Sequence, residues 1–141
     1  MSIKLKPKFF GPVTMESAGE GVFSYKTETG LTGKTGAPAT NEVAAPYDLI
    51  MAALASCVGV SLEMIARQKK IDLGDISIEV NAAKALDLPS RFGSFDVSVS
   101  MSAIEDKEQA TQLLKQAKEM CTVSNTLNAD VTLSLKETAS A

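Results

Sequence analysis

The chain of 141 residues has no histidine, no tryptophan and only two cysteines. Without histidine there can be no Ser-His-Asp or Cys-His hydrolase, no imidazole acid–base catalyst, and none of the common zinc sites that use imidazole. Two cysteines cannot complete a Cys₄ zinc or iron–sulfur site within one chain. No glycine-rich phosphate loop follows a strand-like stretch. The net charge of −3, with no dense basic cluster, argues against nucleic acid as the main partner. The first residues, MSIKLKPKFFGP, carry lysines but lack the apolar stretch of a signal peptide, so a cytoplasmic location is expected.

A 45% share of hydrophobic residues over this length suits a core that needs no disulfide staples. There is no internal repeat and no linker long enough to split the chain, so residues 1–141 are read as a single domain. The two cysteines are not a secreted disulfide framework. In a reducing compartment they are either buried structural thiols or redox-active ones.

The chain is organised around PYDLIMAALASCVGVSLEMIARQKK, residues 46–70. Pro46 suits a first helical turn, Asp48 complements a helix N-terminus, and Arg67, Lys69 and Lys70 complement a C-terminus. From Leu49 to Leu62 the only polar side chains are Ser56, Cys57 and Ser61. That run is shorter than the ~18 residues of a membrane span and charges follow it closely, so a buried core helix is expected rather than a membrane segment. Ile50, Ala53, Leu54, Cys57, Val58 and Ile65 share one side. Ala52, Ala55, Ser56 and Gly59 form a strip of small residues that lets another backbone approach, from the same chain or a second subunit.

Before this helix the spacing predicts a meander of short antiparallel strands: residues 3–10, residues 13–17 after a Gly11-Pro12 turn, and VFSYKTET between glycines. Residues 33–42, GKTGAPATNE, read as a loop. After the helix, Ile76, Ile78 and Val80 alternate with polar residues, as do Phe95, Val97, Val99 and Met101, predicting two half-buried antiparallel strands joined by LDLPSRFG. Ser102 and Glu105 have capping-box spacing ahead of a helix whose apolar stripe is Ala110, Leu113, Leu114, Ala117 and Cys121. A short turn or helix over residues 122–128, a last strand through Val131, Leu133 and Leu135, and a frayed ETASA tail complete the reading.

The cysteine pair is the only constellation left with intrinsic nucleophilic chemistry. A thiolate attacks peroxide oxygen to give a sulfenic acid, which a second thiol converts to a disulfide. Two inert core cysteines would show the same spacing. Cys57 lies ~16 Å along the helix from Pro46, too far for the helix N-terminus to stabilise its thiolate. Arg91 or Lys34 would have to approach from elsewhere, unless both are merely solvated.

PYDLIMAALASC, followed far downstream by EMCTVSNTL with strands before, between and after, closely resembles the OsmC/Ohr family of peroxide-detoxifying proteins. The resemblance implies an α+β fold, with antiparallel sheets wrapped around long central cysteine-bearing helices in an intertwined homodimer. It also implies reduction of small apolar organic hydroperoxides, with Cys57 as the peroxidatic and Cys121 as the resolving cysteine. A dithiol reductant such as dihydrolipoamide would regenerate the pair, with no metal or flavin cofactor. The chain departs from the family pattern in three places. No arginine precedes Arg67, Tyr47 stands where a glutamate usually follows the proline, and Thr122 replaces a proline. These departures motivate the alternative of a catalytically weak dimer that binds a small molecule under stress.

Overall fold

The computed structural model describes residues 5–136, which fall into two compact units, Met1–Leu49 and Ile50–Ala141.

The first unit is an antiparallel meander of β1 (Thr14–Gly19), β2 (Val22–Lys26) and β3 (Thr32–Gly36). The β1–β2 turn runs through Gly19, Glu20 and Gly21, all with positive φ. Gly21 is required for space as well as conformation, since a Cβ there would stand 2.8 Å from the Ala37 carbonyl oxygen.

Two expectations fail in this unit. Residues 33–36 are strand, not loop: Gly33 faces Tyr25 across the β2–β3 ladder, and a Cβ at Gly33 would collide with the Tyr25 ring. The glycines that suggested a loop instead make room for a neighbour. The strand expected over residues 3–10 is absent among the described residues 5–10, where Pro7 removes a ladder donor and Leu5, Phe9 and Phe10 stand exposed. Ile3 and the ETASA tail lie outside the described residues.

Helix α1 covers Pro46–Lys69, as its end signals indicate. Asp48 Oδ2 accepts from the Ala45 N–H at 2.9 Å, which is half of a capping box closing the start. The other end is a Schellman turn. Lys70 takes φ 56°, the Lys70 N–H donates to the Arg67 carbonyl and the Ile71 N–H to the Ala66 carbonyl.

In the second unit, β4 (Ile76–Lys84) pairs antiparallel with the central β5 (Phe92–Met101), as the alternation predicted. Then α2 (Lys107–Met120) and α3 (Thr122–Thr126) lead to β6 (Asp130–Leu135). The crossover lets β6 join β5 in parallel, the one parallel ladder in these sheets.

The predicted capping box does not form. Asp106 caps α2 by accepting from the Glu108 N–H, while Ser102 Oγ accepts from the Asp75 N–H at 2.7 Å. Bonds from Ser102 and Ala103 to the carbonyls of Asp75 and Leu73 hold that stretch against the start of β4, so the helix begins later.

One core unites Leu54, Val58, Leu62 and Ile65 of α1 with Phe95, Val97, Val99 and Met101 of β5 and the predicted α2 stripe of Ala110, Leu113, Leu114, Ala117 and Cys121. Burying each large aliphatic side chain contributes about 1.5–3 kcal/mol.

Helix α1 is not covered all round, as its apolar composition suggested. Ile50, Val60 and Met64 are 37%, 54% and 43% exposed, and Ala52, Ala53 and Ser56 are also open. By length and composition alone α1 is also sufficient to cross a membrane.

Candidate active site

Cys57 sits at a seam on α1. At about 100° per residue, Ser61, Leu54, Ile65, Val58 and Leu62 lie to one side of it, all buried. Met64, Ala53 and Val60 lie to the other, all exposed. The thiol is accordingly half-buried, not enclosed as the apolar helix suggested. Unbroken helix continues on both sides, so the surrounding backbone is rigid.

Cys121 has a different setting. It is the single residue between α2 and α3, in extended conformation (φ −73°, ψ 102°), and serves as C-cap of one helix and N-cap of the other. It is completely buried. Its N–H donates to the Lys118 carbonyl, and its Sγ accepts from the Ser124 N–H at 3.4 Å.

The fold brings the two thiols together. Both are free, and Cys57 is close enough to Cys121 to raise that thiol's hold on its proton. Burial pushes the Cys121 thiol above its ordinary value, against the lowering effect of the Ser124 N–H, and the Cys57 thiol adds to the rise. The Val123 N–H lowers it slightly.

Within the second unit, the arginines are placed away from the thiols or serve other partners. Arg91 pairs with Asp87 at 2.9 Å and donates to the Pro89 carbonyl at 3.0 Å, within the β4–β5 connection. Arg67 is exposed, about 15 Å further along α1 than Cys57. Among the described residues no cluster of three His, Cys, Asp or Glu side chains could hold a metal ion.

Sequence reasoning missed the residues that hold Cys121. Ser124 and Asn125 fasten the α2–α3 joint through the Ser124 N–H and through Asn125 Nδ2, which donates to the Glu119 carbonyl at 3.1 Å. The available signal was TVSNT directly after an apolar helical stripe, a segment rich in capping residues. A hollow of about 480 Å³ beside this joint is lined by Lys118, Ser124, Asn125 and residues 129–132, and neither sulfur opens into it.

The chain resembles known proteins along most of its length. The family model for OsmC-like protein matches residues 39–136. The organic hydroperoxide resistance protein OhrB of Bacillus subtilis is 30% identical over 122 residues, covering 83% of this chain and 85% of OhrB. The crystal structure of OhrB superposes with a TM-score of 0.66 at 25% identity, over 89% of this chain and 98% of that one. An OsmC-like protein from Mycoplasma pneumoniae, 12% identical, superposes with a TM-score of 0.78 over 94% and 100% of the two chains. From the α+β fold, the two cysteine motifs and these matches, the chain belongs to the OsmC/Ohr family.

Proposed function

We propose that the protein is a thiol-dependent peroxidase that reduces organic hydroperoxides through Cys57 and Cys121. The observation that carries this reading is the meeting of the two thiols in the second unit, one half-open and one sealed. Its relative OhrB is named for organic hydroperoxide resistance, which supports the choice of substrate.

The Cys57 thiolate attacks the outer oxygen of ROOH and the O–O bond breaks. Sulfur keeps one oxygen as sulfenic acid, and the alkoxide leaves to take a proton as ROH. The Cys121 thiol then condenses with the sulfenic acid, forming the disulfide and releasing water. A dithiol returns both cysteines to thiols and is itself oxidised to a disulfide. The division of roles follows from setting. Peroxide can reach the half-exposed Cys57, whereas burial disfavours the Cys121 thiolate and reserves that thiol for the second step.

The working form is a cytoplasmic homodimer, comprising one domain per chain. The family model runs across the boundary between the two units, which supports the single domain. The open stripe of Ile50, Ala53, Val60 and Met64 supports a partner face beside Cys57. The test is consumption of cumene hydroperoxide with excess dihydrolipoamide. The wild type turns over and Cys57→Ser does not; retained turnover in Cys57→Ser removes the proposal.

The second reading, a weakly catalytic small-molecule-binding dimer, is favoured by the placing of Arg91 on Asp87, which leaves the thiols without that guanidinium. Peroxide consumption no faster than that of a free thiol, with ligand-dependent stabilisation, would select it.

A further inference from the structure

Helices α1 and α2 end differently. α1 closes with a left-handed residue and the two backbone bonds of a Schellman turn. α2 runs straight into Cys121 in extended conformation. The Cys121 N–H still reaches the Lys118 carbonyl, but the second, wider bond of a Schellman turn is missing and other last carbonyls are left open. One of them, the Glu119 carbonyl, is instead capped by the Asn125 side-chain amide, reaching back from α3 at 3.1 Å. The Asn125 backbone N–H donates to the Cys121 carbonyl at 3.0 Å. With five residues, α3 is far shorter than a helix that holds by itself in water. Its order rests on such tethers, and the Ser124 N–H that meets the Cys121 sulfur belongs to it.

We propose that Asn125 is a positioning residue for Cys121. Its side-chain amide clamps α3 to the last turn of α2 and thereby keeps the buried sulfur facing Cys57. The proposal rests on the reading of Cys121 as the resolving cysteine. The clamp serves the second chemical step and not the first, because Cys57 is held by unbroken helix on both sides. The Asn125 side chain bonds the Glu119 carbonyl and acts on the sulfur only through α3.

The test is a single-turnover comparison of the full-length wild type with Asn125→Asp, which keeps the shape but loses the donor, and Asn125→Ala. Reduced protein receives one equivalent of cumene hydroperoxide. Dimedone capture follows sulfenic acid at Cys57, and non-reducing mass spectrometry follows the disulfide. Sulfenic acid formation should stay within about twofold of wild type, while disulfide formation slows by about three- to tenfold, the factor for one ordinary hydrogen bond. In a Cys57→Ser background, Asn125→Asp should speed iodoacetamide alkylation of Cys121 by a similar factor. Unchanged disulfide formation, or both steps slowing together, overturns the proposal. Should the wild type form no disulfide, the peroxidase reading falls. The alkylation comparison then still decides whether Asn125 holds Cys121, an unchanged rate overturning the clamp.

Discussion

Cys57 and Cys121 occupy opposite kinds of structure within one core. Cys57 lies in the middle of a 24-residue helix, on the seam between a buried and an open face. Cys121 lies where helix stops and restarts, with no exposed surface and its sulfur committed to the Ser124 N–H. A mid-helix position fixes a side chain firmly but leaves no unpaired backbone N–H to stabilise a thiolate. A helix break supplies such an N–H, here in a burial that outweighs it. The difference teaches a division of labour: the firmly held, accessible thiol suits attack on peroxide, and the sealed one suits capture of the product.

The sharpest way to break this comparison is to remove each thiol. Cys57→Ser should abolish peroxide turnover. Cys121→Ser should allow one oxidation and then accumulate sulfenic and sulfinic acid at Cys57, read by mass after each peroxide addition. Equal effects of the two substitutions on the first oxidation would erase the distinction.

The two faces of α1 can be contrasted next. Leu62→Ala, on the fully buried side, should cost about 2–5 kcal/mol in urea denaturation. Val60→Ala, on the open side, should cost under about 0.5 kcal/mol if no partner covers it, and more if one does. Val60→Asp should shift sedimentation toward the monomer, and an unchanged sedimentation coefficient would argue against this face as the dimer contact.

The pH dependence is the smallest effect. Because the folded Cys121 holds its proton above the ordinary thiol value, the unfolded chain binds fewer protons as pH rises past about 8.5. Stability of the reduced protein should therefore fall from there until the raised folded value is passed. Cys121→Ala should lose that contribution, seen as a flatter stability profile above pH 8.5.

Much of this was legible in the sequence where burial imposes a period. The alternation of Phe95, Val97, Val99 and Met101 and the stripe from Ala110 to Cys121 are the same residues that line the core. Pro46, Asp48 and the terminal lysines located α1 because helix ends need specific partners. Local signals failed where a distant segment decided. Gly33 reads as loop until Tyr25 lies across it, and Ser102 reads as a cap until Asp75 takes its hydroxyl. At the site, the spacing put each cysteine on an apolar stripe, but their meeting depends on how α1 and α2 share the core. The Asn125 bond to Glu119 could not be read because it requires the helix to break at Cys121.

The most direct measurement is intact mass of the reduced protein after one equivalent of cumene hydroperoxide, beside both single cysteine variants. The account predicts rapid loss of two hydrogens as Cys57 joins Cys121, absent in either variant. Two thiols that stay reduced while a known two-cysteine peroxidase reacts under the same conditions would contradict it.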